Sequence, residues 1–143
     1  MKKKGFTLIE LLVVIAIIGL LTTMSVLALQ SSRARARDAK RLGDVKQMQT
    51  ALDLYKHDAN SYPATASITP GAVLSYNGVV YMAIIPAPPL PDDGCSGSTA
   101  YTYTMQTVVG DQTSYTLKYC LGAIASGIPA GLNVATPAGI KTN

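Results

Sequence analysis

The strongest constraint on this chain is an apolar run from Phe6 to Leu29 whose single charge is Glu10. A helix of that length reaches roughly 36 Å, enough to cross a ~30 Å hydrocarbon core. A cleaved secretory signal would carry a shorter apolar region of about 7–15 residues ending at a small-residue site. Here Thr22-Thr23-Met24-Ser25 leads back into Val26-Leu27-Ala28-Leu29, so the segment is expected to stay on the protein as a membrane span. A carboxylate at the centre of such a span costs about 2.5–3.5 kcal/mol and usually marks function. Near a helix N-terminus the dipole tolerates it better. If the chain were cut after Gly5, the new amine of Phe6 would be a cation one turn from Glu10, in the same copy or a neighbour.

Beyond Leu29, residues 30–60 read as a continuation of the same helix. Alanine, arginine and lysine favour helix, and no proline intervenes before Pro63. Leu42, Val45, Met48, Leu52 and Tyr55 recur at spacings of three and four, which places them on one face. Lys56 and His57 suit the C-terminal dipole, and Asn60 can take the left-handed conformation that ends a helix. A stalk with one apolar stripe needs a small sheet to cover it, so the expected class is α+β, with a β-rich head over 61–143. Thr99–Val109 and Thr113–Leu121 alternate tyrosine, methionine and leucine with polar residues, and Gly110-Asp111-Gln112 supplies a turn between them. That hairpin is expected to lay its aromatic face on the stripe, in preference to forming a base- or sugar-stacking platform. Residues 64–78 read as a loop, and Val79 to Ile85 as a short packed segment, helical turn or strand. Pro86, Pro88, Pro89 and Pro91 form a rigid connector in preference to a recognition motif. The tail from Gly122 reads as a surface loop, with a strand conceivable near Leu132–Ala135.

Charge is unevenly placed. The formal net charge is +4, but Lys2, Lys3 and Lys4 account for most of it. Arg33, Arg35, Arg37, Lys40 and Arg41 form a basic block against Asp38, whereas the residues beyond are slightly acidic. Five cations could attract phosphates of nucleic acid or anionic lipid with steep salt dependence, although a solvated stem beside lipid head groups explains them more simply. The two cysteines, Cys95 and Cys120, do not form a metal-type Cys-x-x-Cys pair. One disulfide is expected if the domain is exported, and two buried free thiols if it is not.

Catalytic constellations are missing. His57 is the single histidine, which removes paired-histidine metal sites. Neither a phosphate-binding Gly-x-x-x-x-Gly-Lys-Ser/Thr nor a Gly-x-Ser-x-Gly nucleophile elbow occurs. Asp92 and Asp93 could contribute to a calcium site, but a surface turn is preferred. No catalytic residue, cofactor or metal is expected, and the chain reads as a non-enzyme.

Lys-Lys-Lys-Gly at 2–5 followed by Phe-Thr-Leu-Ile-Glu-Leu-Leu-Val-Val-Ile-Ala-Ile-Ile-Gly at 6–19 resembles the class III signal of type IV prepilins and type II secretion pseudopilins. The stretch from Ala34 to Pro63 resembles the stem of the same proteins more loosely. The resemblance implies a leader at 1–5, an assembly helix at 6–29, an amphipathic stem at 30–60 and a head at 61–143, in a pilin-like fold. It implies cleavage between Gly5 and Phe6 by a prepilin peptidase that also methylates Phe6, and a subunit-aligning role for Glu10. The implied partners are that peptidase, identical subunits in a helical filament, an inner-membrane assembly platform and lipid, with nucleic acid weakly supported. The implied location is a single inner-membrane span with the head outside the cytoplasm, and then a surface or periplasmic filament.

Two readings compete within that family. The short leader, small head and Asn-Ser-Tyr-Pro stem lean toward a pseudopilin of type II secretion. The missing acidic cluster and the single Cys pair lean toward a surface pilin, and the balance falls on the pilin. A membrane-anchored binding module using the basic block is the reading from another class. Two features oppose the resemblance. By the positive-inside rule the basic block outweighs the three leading lysines and argues for the reverse orientation. Leu27 also stands where many pilins have a helix-bending proline.

Overall fold

A computed structural model describes residues 5–95, 100–108 and 112–141. Lys2, Lys3 and Lys4, both ends of the first expected strand at Thr99 and Val109, and the turn residues Gly110 and Asp111 lie outside the described residues. The fold is α+β and pilin-like: one long N-terminal helix, α1 (Leu8–Ala59), followed by two antiparallel sheets. The first sheet pairs β1 (Leu74–Tyr76) with β2 (Val79–Met82). The second is an antiparallel meander in the order β3 (Thr102–Val108), β4 (Gln112–Leu121), β5 (Gly131–Thr136) and β6 (Gly139–Lys141). The chain divides into two compact units, one ending at Arg33 and one beginning at Ala34, so the stem from Ala34 onward belongs with the sheets.

In the first unit the helical residues are exposed, with Phe6, Leu8 and Ile9 between 70% and 86% accessible. Its hydroxyl groups turn back onto the helix. Thr22, Thr23 and Ser25 donate to the carbonyls of Ile18, Leu20 and Leu21 at 2.7, 2.8 and 2.9 Å. These polar side chains therefore need no partner outside the helix, as an apolar surrounding requires.

In the second unit the core joins one face of α1 to the meander. Val45, Met48, Ala51 and Leu52 pack with Tyr62, Tyr101, Tyr103, Tyr115, Leu117, Tyr119, Leu121 and Ala135. Tyr103 pairs with Leu117 and Met105 with Tyr115 across β3 and β4, so alternate residues of both strands face the helix. Tyr62 meets Tyr115 edge-on at 4.8 Å between centroids, and the Tyr103 hydroxyl donates to the Pro63 carbonyl at 2.8 Å. The tyrosines serve as core, and burial pushes the Tyr115 hydroxyl up to about 12. Asn60 ends the helix at φ 54°.

Two segments differ from the expectation. Residues 64–78, expected as a loop, contain β1, which pairs with β2, the strand alternative for the segment from Val79, because Asn77-Gly78, at φ 47° and 81°, forms a two-residue hairpin turn. The tail beyond Gly122, expected as a surface loop, supplies two sheet strands: β5, over the Leu132–Ala135 stretch where a strand is conceivable, and β6, where none is expected. β5 extends the meander through Tyr119↔Asn133 and Leu117↔Ala135, and β6 covers its edge. The proline-rich stretch between β2 and Cys95 carries no strand or helix up to Leu90.

Candidate assembly site

The first site candidate lies at the start of α1. Thr7 is the residue before the first helical position and Glu10 is the third within the helix, the spacing of a capping box. The Thr7 amide and hydroxyl both donate to Glu10 Oε2, at 2.8 and 2.7 Å, and the Glu10 amide donates to Thr7 Oγ1 at 3.3 Å. Glu10 thus satisfies helix-end donors of its own chain, while remaining exposed among Phe6, Ile9, Val13 and Val14. Gly5 and Phe6 precede the helix in exposed, irregular backbone. A bond there is reachable by another protein, whereas a helical one would have to be unwound first.

The basic block divides. Arg33, Arg35 and Lys40 are exposed. Arg37 and Arg41 are drawn into a charged cluster within the second unit. Arg41, 2% exposed, donates to Asp38 at 2.6 Å and to Asp93 at 3.2 Å, and to the carbonyls of Pro89 and Pro91 at 3.0 and 2.8 Å. Arg37 clasps Asp93 with two nitrogens, Nε at 2.6 Å. Asp38 also accepts from the amides of Gly122 and Ala123, at 2.9 and 2.8 Å. The bonds from Arg37, followed by the charges of Arg37 and Arg41, hold the Asp93 carboxyl below the usual carboxylate range against an opposing effect of burial. Asp93 in turn raises the Arg37 guanidinium.

Cys95 and Cys120 are joined by a disulfide, with their Cα atoms 5.8 Å apart. Asp93 stands two residues before Cys95 and Gly122 two residues after Cys120, so the bond fastens the two segments that close around Asp38 and Arg41. Among the described residues, no group of three or more His, Cys, Asp or Glu side chains is placed to hold a metal ion, and Asp93 is engaged by arginines.

Sequence reasoning treats Asp38 and Arg41 as part of a solvated stem and says nothing of Asp44. In the fold all three are buried, and Asp44 accepts from the Tyr101 hydroxyl at 2.9 Å. A signal for Asp38 and Arg41 existed: 38 and 41 continue the three-and-four spacing of Val45, Met48 and Leu52. Charged residues falling in the phase of an apolar stripe are candidates for an inward-facing pair.

A profile described as the prokaryotic N-terminal methylation motif matches residues 1–26. The type II secretion system core protein G of Escherichia coli strain K12 is 36% identical over 101 residues, spanning 64% of this chain and 70% of that protein. The chain belongs to the pilin and pseudopilin family. The core protein G of Pectobacterium carotovorum is 41% identical over 64 residues, which is 45% of this chain and 41% of that protein. The Pseudomonas aeruginosa protein of the same name is also 41% identical over 64 residues, 45% of each chain. The chain thus spans most of the first of these relatives and less than half of the other two. No solved structure matches it. Where the residues alone tip toward a surface pilin, these relatives weigh for the secretion system.

Proposed function

We propose that this pseudopilin-family chain is a structural subunit of a type II secretion filament, held in the inner membrane by α1 until it is polymerised. The observation that carries the reading is the likeness to core protein G across 70% of that protein, added to the methylation motif at residues 1–26. Cleavage between Gly5 and Phe6 by a prepilin peptidase frees the Phe6 amine, which the same enzyme methylates. The helix then leaves lipid for the filament interior, where Glu10 needs a counter-charge. The Phe6 amine of a neighbouring subunit supplies it. The head stands outside the cytoplasm, where the Cys95–Cys120 bond is stable, and an inner-membrane platform drives assembly. The chain acts by packing and carries out no reaction.

The test is complementation. In a secretion-competent bacterium lacking its core protein G, this chain is expected to restore export together with short periplasmic filaments, and mass spectrometry should find N-methylated Phe6 as the first residue. Long surface filaments without export would favour the surface pilin, a reading to which the Cys95–Cys120 bond lends some weight. An unprocessed chain with neither property would sink both readings.

A further inference from the structure

The outer face of the β3–β6 meander, turned away from α1, has a composition of its own. Its residues alternate with the core side chains Tyr103, Leu117, Tyr119 and Ala135 and so point to the opposite side of the sheet. Strand pairing aligns them in rows. Thr102, Lys118, Val134 and Lys141 form one row through all four strands. Thr104 and Thr116 begin the next, about 7 Å further along the strands, and Thr136 continues it on β5. Thr102, Thr104, Lys118 and Lys141 are exposed, and Thr116, Val134 and Thr136 are half-buried. Lys118 and Lys141 stand two strands apart, about 10 Å. Neither forms an ion pair among the described residues.

Charge and side-chain chemistry narrow what such a face can hold. Beyond Gly94 the sequence has one acidic residue, Asp111, and the four strands have none. An anionic partner therefore meets two cations and no repulsion from the sheet. A tight protein interface is anchored by Trp, Tyr or Arg, and single-stranded nucleic acid stacks on exposed aromatic rings. Among the described residues this face offers neither, because Tyr101, Tyr103, Tyr115 and Tyr119 belong to the core. It offers hydroxyls that both donate and accept, threonine methyl groups and two ammonium ions. That set suits a chain of sugar rings: hydroxyl against hydroxyl, methyl against ring C–H, and ammonium against carboxylates carried on the rings. We propose that the outer face of the meander binds an acidic polysaccharide lying across the strands. Lys118 and Lys141 pair with its carboxylates, and Thr104 and Thr116 bond to its hydroxyls.

The experiment measures binding of the detergent-solubilised full chain to polygalacturonate, a uronic-acid polymer, with neutral dextran and a DNA duplex for comparison. Polygalacturonate should bind more tightly than either, and less tightly as salt rises. Lys118→Glu with Lys141→Glu should weaken that binding about tenfold or more. Thr104→Val with Thr116→Val keeps shape and charge while removing two hydroxyls, and should weaken it about fivefold. Both variants should unfold at the wild-type temperature, since valine suits a strand and the lysines are exposed. The exposed stem cations are a rival source of attraction, so Arg33→Gln, Arg35→Gln and Lys40→Gln together should leave binding unchanged. No binding of polygalacturonate, binding lost with the stem cations, or binding indifferent to either sheet variant would each overturn the proposal. Equal binding of dextran or of the duplex would overturn it too, the first by removing the role of the lysines and the second by removing that of the sugar.

Discussion

Asp38 and Arg41, one turn apart on α1, meet at 2.6 Å with both side chains 2% exposed. A buried pair of this kind adds little over an apolar substitute, but breaking it by removing one partner leaves an uncompensated charge and costs about 3–5 kcal/mol. Asp38 also holds the amides of Gly122 and Ala123, so its loss loosens the end of β4 as well.

Asp38→Ala should therefore destabilise the protein by about 3–5 kcal/mol, read as a lower denaturation midpoint of the detergent-solubilised chain. Lys40→Ala, one residue from Arg41 but exposed, should shift it by less than about 0.5 kcal/mol. Similar effects from the two substitutions would contradict the cluster.

Gly122 is the point of closest approach in that cluster. A Cβ placed there would run into the carbonyl oxygen of Asp93 and stand 2.7 Å from its Cβ, so a backbone segment tied by the disulfide would have to move. Gly122→Ala should cost about 1–3 kcal/mol, as overpacking does. Gly43→Ala, with open space around it, should leave the monomer as stable or slightly more so.

The contrast between these glycines shows what was legible from residues alone. The stripe of Leu42, Val45, Met48 and Leu52 declared itself through helical spacing, and the β3–β4 hairpin through its alternation, because both signals are local. Asn77-Gly78 is also local, and it marks the β1–β2 turn within a stretch whose composition reads as loop. The meander beyond Gly122 is different. A strand near Leu132–Ala135 is conceivable from composition, but its place in the sheet is set by pairing with Tyr119 and Leu117, partners more than ten residues away. The cluster is hidden for a similar reason: Arg37 and Arg41 look solvated until Asp93, over fifty residues on, is brought beside them.

Acid should weaken the protein through Asp93. Its carboxyl titrates below its ordinary value in the fold, so the unfolded chain takes up the proton first as pH falls. The stabilisation is present above the usual aspartate value near 4 and is lost as pH drops through the lowered one. Asp93→Asn should lower stability at neutral pH and flatten the acid limb. An acid limb unchanged in the variant would assign the effect to other carboxylates.

Alkali acts through the buried tyrosines with the opposite sign. Burial raises Tyr103, and raises Tyr115 from the usual 10 to about 12, with the Asp53 charge adding to the effect on Tyr115. Stability is unaffected below the unfolded value near 10 and declines as pH rises through the folded values, because the unfolded chain releases protons that the core retains. Tyrosinate absorbance should therefore appear together with loss of β-sheet signal above pH ~10. Tyrosinate forming while the sheet signal persists would mean that these rings reach solvent without unfolding.

Glu10 caps α1, and the proposed function gives it a second duty that one substitution can separate from the first. In the capping box it accepts from the Thr7 amide and hydroxyl, and a glutamine at the same position can still accept both. Filament packing as proposed, in contrast, would call on the negative charge to meet the Phe6 amine. Glu10→Gln should keep the first turn of α1 formed, seen as unchanged helix content and membrane insertion, while reducing assembly severely. Thr7→Val should do the reverse: the helix start frays, yet the carboxylate is set free and assembly persists at a reduced level. If Glu10→Gln assembles normally, the carboxylate serves only to cap the helix, and the pairing with Phe6 falls.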